Sequence, residues 1–526
     1  MALLRFAGTV GFWTLASRIL GFIRDILIAR FLGTTGVVEA FFVAFRFPNL
    51  FRRLVAEGAF TAAFVPMFSK KLERDGRPTA LKFADETLAL LVTVLLIFTV
   101  LCEIFMPWIM QAVAPGFVDR PEIFDATVLF ARIMMPYLLC MALLALYLGI
   151  LNSIDRFGAA AAAPILLNVV LIGGMLALRP YFETPAHLLS WGVAVAGVGQ
   201  FVWLAFSAHR AGVAMRFPVP KLSPDTKRLL IIMVPGAVGA GVMQINLLVG
   251  TVIASLLPEG AVSYLYYADR VYQLPLGLIG IAIGTALLPD LSRRLARDGE
   301  AAMVLFNRAI ELSMFLTLPA AVALMVVPDP IIAVLFERGR FDAASASATT
   351  WTLAAFATGL PAYVLNRVLT PGYFARHDTK TPLYYAIVGV VANIVLSLIL
   401  IWPLSYVGIA VATSLSAWIN VGLLVWTLRR RGHLALDAGI KRRLPRSLLA
   451  SILMGAALLG IFLAIAPWFD ERLPIKVAGL ALLVIGGMVV YFGAAFALKA
   501  VGLAELKGLA RRQEKAKAAP PEAGDA

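Results

Sequence analysis

Cysteine is nearly absent from this 526-residue chain: Cys102 and Cys140 are the only two, and both fall inside apolar stretches. That reads as two small buried side chains and argues against a disulfide framework or a thiolate metal site. Histidine is almost as scarce, and all four (His187, His209, His377, His433) sit at segment ends or in loops, which argues against a proton relay or metal site inside a membrane. No G-x-x-x-x-G-K-[ST] loop is present to cradle a nucleotide phosphate, and no H-E-x-x-H pair to hold zinc. No cofactor and no metal is therefore expected, nor any catalytic residue. The start, MALLRFAGTVGFWTLASRILGFIRD, has no cleavage-site pattern, so no segment is expected to be removed.

Apolar sequence is what the chain has in excess. It is 61% hydrophobic with a mean hydropathy of +0.87, and runs of membrane-spanning length recur from Leu3 to Lys499. The fold class that follows is an all-α integral membrane protein. Segments separated by loop signals fall at 5–31, 37–68, 84–110, 123–151, 159–179, 187–208, 229–257, 262–290, 308–327, 345–374, 382–402, 405–428, 447–468 and 475–498, which predicts about 14 transmembrane helices. Of the 46 Lys and Arg, 31 lie in alternate loops and the two ends, against six in the intervening loops. This asymmetry predicts cytoplasmic N- and C-termini. It also explains the net charge of +15 as a match to an anionic leaflet, without nucleic acid.

The segment Pro66-Met-Phe-Ser-Lys-Lys-Leu-Glu-Arg-Asp-Gly76 recurs as Pro289-Asp-Leu-Ser-Arg-Arg-Leu-Ala-Arg-Asp-Gly299, each copy closing the second helix of a six-helix block. An even number of helices returns the second block to the same side, so the repeat is parallel, and substrate sites in such folds are expected near the midplane. The expected divisions are a six-helix lobe at 1–220, a second at 221–432, two further helices at 433–500 and a disordered tail at 501–526.

Charge is thin at 15% of residues, yet arginine occurs where hydrocarbon tolerates it least. Arg18, Arg24, Arg46, Arg52 and Arg53 lie in the first two segments and Arg270 in the eighth. Each costs roughly 2.5–3.5 kcal/mol at bilayer depth unless it faces a partner or a wet cavity. A guanidinium stays charged and offers a fork of donors suited to phosphate or carboxylate, so an anionic cargo is the reading. Arg18 lies about 20 Å along its helix and shares a face with Asp25, which is also adjacent to Arg24. In the second segment Glu39, Arg46, Arg53 and Glu57 form one stripe, with Asn49 a turn before Arg52. Arg53 with Glu57 reads as an intrahelical pair, leaving Arg52 the better substrate ligand. In the eighth segment Ser263 shares a face with Arg270, and Asp269 adjoins it. Arg132 and Arg367, nearer segment ends, read as interfacial.

Several stretches are long enough to be specific: SRILGFIRD (17–25), FFVAFRFPNLFRRLVAEGAFTAAFVPMF (41–68), NSIDRFGAAAAAPILLNVVLI (152–172), YYADRVYQLPLGLIGIAIGTALLP (266–289) and PGYFARHDTKTP (371–382). In these the chain resembles the MurJ/MviN family of lipid II flippases, across essentially all fourteen segments. The resemblance implies a MOP exporter (MATE-like) fold with a lipid-tail groove at the last two helices. It implies export of the undecaprenyl-pyrophosphate-linked disaccharide-pentapeptide, by alternating access, from the cytoplasmic to the periplasmic leaflet of the bacterial inner membrane for peptidoglycan synthesis, cell wall and cell shape. Arg18, Arg24, Arg52 and Arg270 are similar to that family's cavity arginines, with Asn49 and Ser263 as further substrate ligands and Asp25, Arg53, Glu57 and Asp269 as supporting charge partners. Lipid II, membrane lipids and cell-wall synthesis enzymes are the partners to expect. Some relatives carry acids in the seventh and eleventh helices as a sodium site, whereas 229–257 and 382–402 here have none. The alternatives are a flippase for another polyprenyl-linked polysaccharide, a MATE-like multidrug exporter, or a scaffold for cell-wall enzymes. An exporter of cationic drugs calls for unpaired carboxylates rather than arginine, and a scaffold leaves the buried arginines unexplained.

Overall fold

The computed structural model describes residues 2–53, 60–154, 156–295 and 299–500, with the backbone alone at 2–10, 157, 160, 237–240, 242–243, 281–286, 289 and 299. The described residues form helices and no strand. In chain order these are α1 (Ala2–Leu32), α2 (Gly36–Phe51), α3 (Phe60–Arg74), α4 (Gly76–Val113), α5 (Pro121–Met134), α6 (Pro136–Ser153), α7 (Phe157–Ala177), α8 (Pro185–Arg210) and α9 (Pro224–Ser255). There follow α10 (Ala261–Pro275), a π turn (Leu276–Gly280), α11 (Ile281–Leu295), α12 (Gly299–Val326), α13 (Pro328–Leu335), α14 (Ala343–Ala357), α15 (Leu360–Phe374), α16 (Lys380–Arg430), α17 (Ala438–Ile465) and α18 (Leu473–Ala497).

Helical backbone is the expected answer to a solvent that cannot hydrogen-bond, because it satisfies every N–H and C=O within one segment. Among the described residues seven helical stretches are long and apolar enough to cross a bilayer, two shorter apolar ones accompany them, and their outward faces are rich in exposed Leu, Ile, Val and Trp.

Prolines and glycines cut several expected spans in two. The second segment contains α2, with Pro48 near its end, and α3, with 54–59 between them outside the described residues; the fourth breaks at Met135, where Pro136 opens α6. The eighth is interrupted by the π turn after Pro275, and the tenth between α14 and α15, where Pro361 sits in the first turn of the new helix. Each proline removes a backbone donor and crowds the preceding turn. The breaks in the fourth and tenth segments fall at the fourth segment of each six-segment block, so the repeat is visible in where these helices break as well as in sequence. The 51-residue α16 is two helices: Ser405 leaves helical geometry (φ 51°, ψ −133°), and Gly408 gives the room for the chain to pass the Leu400 carbonyl.

The chain gathers into two compact units, one of Ala2–Ser263 with Arg338–Asp342, the other of Tyr264–Glu337 and the residues from Ala343 on. The first has its core where α3, α4 and α6 meet, around Phe60, Phe64, Phe68 and Phe83, which stack 5.1–5.6 Å apart. The second has two cores. One joins α11, α12, α15 and α16 through Phe306, Leu369 and Tyr373; the other packs α17 and α18 on α12, where the Tyr491 hydroxyl donates to the Phe315 carbonyl at 2.5 Å.

Candidate functional site

The arginine of α1 is held from two helices. Arg24 donates from Nε and a terminal nitrogen to Asp25 Oδ1 at 3.0 and 2.8 Å, and from its other terminal nitrogen to Asn168 Oδ1 of α7 at 3.1 Å. Asn168 Nδ2 in turn donates to the Ser17 carbonyl at 3.0 Å. Gly21 on α1 faces Asn168 with no side chain between them, which is what lets α7 come this close. Asp25 is 2% exposed, so its desolvated carboxylate depends on the guanidinium beside it. Asp25, adjacent to Arg24 in sequence, is therefore its ion-pair partner. Asn168 went unnoticed there; its one signal was a polar residue in the middle of an otherwise apolar stretch.

Arg18 is exposed on α1 and forms no hydrogen bond or ion pair among the described residues. Arg46 of α2 donates to the Thr251 hydroxyl of α9. Arg52 Nε donates to Asn49 Oδ1 at 2.8 Å, one helical turn earlier, so the amide orients the guanidinium without neutralising it. Of the stripe expected through Glu39, Arg46, Arg53 and Glu57, Glu39 and Arg46 lie on α2, Arg53 is exposed just beyond it, and Glu57 falls outside the described residues.

Glu39 has a different role. It is 1% exposed and accepts from the backbone N–H groups of Val262 at 2.7 Å and Ser263 at 3.3 Å, at the start of α10. In return Glu259, just before α10, accepts from the Gly36 N–H that opens α2. Carboxylates are stabilised at helix N-termini by free donors and by the helix dipole, so this is a reciprocal clasp. Arg120 reinforces it, donating to the carbonyls of Leu257 at 2.8 Å and Ser255 at 3.4 Å. Ser263 is thus placed in the clasp: fully buried, its backbone N–H on Glu39 and its hydroxyl without a partner among the described residues.

In the second unit, Arg270 lies over the ring of Tyr266 at 4.7 Å and donates to its hydroxyl at 3.1 Å. Asp269 accepts from Gln273 one turn on. The aliphatic stem of Arg367, on α15, packs against Gly280 in the π turn, so the interruption of the eighth segment brings a second arginine to that turn. The arrangement in both units is one of guanidinium groups steered by amides, hydroxyls and aromatic faces, with Asp25 the carboxylate that Arg24 engages.

Comparison with known proteins agrees with this chemistry. The family described as Lipid II flippase MurJ matches residues 28–479. A relative from Rhizobium meliloti (strain 1021), named as a probable lipid II flippase MurJ, is 45% identical over 521 residues, covering 97% of each chain. The lipid II flippase MurJ of Burkholderia cenocepacia is 35% identical, over 82% of this chain and 85% of the relative. Among solved structures, a lipid II flippase MurJ in an inward closed conformation superposes with a TM-score of 0.78 at 26% identity, covering 92% of this chain and 97% of that one. An inward-facing MATE multidrug transporter of the MOP superfamily, 15% identical with a TM-score of 0.66 over 79% of this chain and 94% of that one, shares the fold alone.

Proposed function

Because this chain belongs to the lipid II flippase MurJ family, we propose that its membrane-embedded arginines carry the pyrophosphate of an undecaprenyl-pyrophosphate-linked disaccharide-pentapeptide from the cytoplasmic to the periplasmic leaflet. The chain is a multi-pass membrane protein and a lipid II flippase. The bacterial inner membrane, with both termini in the cytoplasm, is the location that its loop charges support. The observation that carries the reading is Arg24, fixed by Asp25 and Asn168 from two helices while Arg18, one and a half turns away, has no partner among the described residues. A charged head cannot cross about 30 Å of hydrocarbon unaided. Arg18, Arg24, Arg52 and Arg270 replace its hydration, Asn49 orients Arg52, and Asp25 and Asp269 set the local charge. Ser263 and Arg53 support the same region, as does Glu57, which the structure does not describe.

Nothing in the sequence supplies nucleotide hydrolysis, so transport without ATPase chemistry fits the absence of a phosphate-cradling loop. Lobes at 1–220 and 221–432 and a tail groove at 433–500 are the division we adopt. The MATE likeness does not favour a cation exporter, given arginines where such an exporter needs carboxylates.

Replacing Arg18, Arg24, Arg52 or Arg270 by Ala is expected to abolish lipid II export, followed with a leaflet-specific assay in cells depleted of the native protein, while the variant still accumulates in the membrane. Arg→Lys should be tolerated only in part, because a fork of donors becomes a point charge. Full export by all four Ala variants would refute the assignment.

A further inference from the structure

Only six Lys and Arg occupy the loops on the side opposite the basic ones, and three of those, Arg179, Arg338 and Arg340, gather around Arg30 at the end of α1. Arg30 and Arg179 lie over the same ring, that of Phe31, at 5.7 and 4.9 Å. Arg340 donates its backbone N–H to the Arg30 carbonyl at 3.0 Å. Gly33 and Gly339 lock this junction. Both have positive φ (65° and 66°), and a Cβ on either would meet the carbonyl oxygen of the other loop's arginine, Arg340 or Arg30. Arg338 is close enough that burial, with the Arg30 charge, holds its guanidinium below the usual arginine range.

Four like charges repel, and this fold holds them together with backbone that only glycine accommodates. The guanidinium groups of Arg30, Arg179 and Arg340 make no hydrogen bond or ion pair among the described residues. Of the nearby acids, Glu337 is bound to Lys476 at 3.4 Å and Glu183 faces His187 at 3.7 Å. Of the other basic residues of these loops, Arg120 is engaged on the Leu257 carbonyl and Lys476 on Glu337.

We propose that Arg30, Arg179, Arg338 and Arg340 form a second anion site that takes the phosphate of a lipid head group in the leaflet where transport ends. The assignment to that leaflet rests on the orientation proposed above. The chemistry is that of any lipid-borne phosphate: exposed forks of donors beside an aromatic ring at the membrane surface suit a phosphodiester or pyrophosphate whose acyl or prenyl chain stays in the bilayer. The occupant is either the transported pyrophosphate on arrival or a resident anionic phospholipid.

The test uses the full-length protein in detergent, with lipid II, phosphatidylglycerol and inorganic pyrophosphate titrated separately by native mass spectrometry. Binding is compared between Arg24→Ala and the same protein carrying Arg30→Ala, Arg179→Ala and Arg340→Ala. The added substitutions are expected to weaken a lipid at least about tenfold. Loss confined to lipid II identifies the transported head group, and loss of phosphatidylglycerol identifies a resident phospholipid; either upholds the site. Unchanged affinity for both lipids, or a change with inorganic pyrophosphate alone, overturns it. If the multiple variant does not accumulate, Arg179→Ala alone, on an exposed loop, should still show a loss, and its absence overturns the site. The transport reading stands or falls separately, on whether Arg24→Ala itself loses export.

Discussion

Glu39 and Glu259 each hold the start of the helix that follows the other's loop: Glu39 takes the first N–H groups of α10, and Glu259 takes the Gly36 N–H of α2. Glu39 lies three residues into α2 and Glu259 two residues before α10, so the clasp is reciprocal although the two acids are not equivalent positions of the repeat. Removing Glu39 leaves buried donors unsatisfied. Glu39→Ala is expected to lower stability by about 1–3 kcal/mol, read as a fall in Tm of the purified protein, with Glu39→Gln milder because its amide oxygen still accepts. An unchanged Tm for the Ala variant would show that the clasp contributes nothing.

Asn168 is expected to matter through Arg24. Asn168→Ala removes the hydrogen bond that reaches this guanidinium from α7 and frees the Ser17 carbonyl, so export should fall by about tenfold with a stability loss of only about 1 kcal/mol. A purely structural Asn168 would show the stability loss and normal export per folded molecule. Lipid II flipping in proteoliposomes, normalised to folded protein, separates the two.

The glycines of the α1 junction allow little. Gly33→Ala and Gly339→Ala each place a Cβ against a backbone carbonyl at positive φ, and should each destabilise by more than about 1 kcal/mol. Gly432, also at positive φ but with open space around it, is the control and should cost less. Equal Tm losses in all three would show that the packing at the junction adds nothing to the backbone strain.

A pH-sensitive turn joins α15 to α16. Burial alone would raise the Asp378 carboxyl, but the Thr381 N–H (3.0 Å), the Thr381 hydroxyl (2.7 Å) and Arg431 (2.6 Å) hold it down at about 2, against an ordinary 3.8. A depressed carboxyl stabilises the fold at pH above its unfolded value and loses that contribution as pH falls through the folded one. Hydrogen exchange of residues 374–382 should therefore be protected at pH 5 and accelerate between about pH 4 and 2. Asp378→Asn should exchange faster at pH 5 and lose most of this dependence.

Coupling is expected to follow the membrane potential rather than sodium. Residues 229–257 and 382–402 hold no acid, and Asn393 there accepts from Thr413 at 3.3 Å. An inside-negative potential favours outward movement of net negative cargo and return of an empty, net positive site, at about 2.3 kcal/mol per charge per 100 mV. Proteoliposomes with imposed potassium diffusion potentials test this. Transport driven by sodium alone at zero potential would reverse the expectation and point to Gln244, Asn246 and Asn393.

Apolar runs, the repeat, the buried arginines and the loop charge asymmetry were all legible in the chain, because each depends on residue type and on spacing within one segment. Local spacing also foretold the Arg24–Asp25 pair and the Asn49–Arg52 turn. It misjudged Glu39, which looked like the head of an arginine stripe and instead caps a helix 223 residues away. Asn168 on Arg24, Thr251 on Arg46, and Arg179, Arg338 and Arg340 around Arg30 were likewise invisible. A helix's own periodicity says which side chains share a face; which donor or acceptor waits opposite depends on how distant segments pack, and only the tertiary structure decides that.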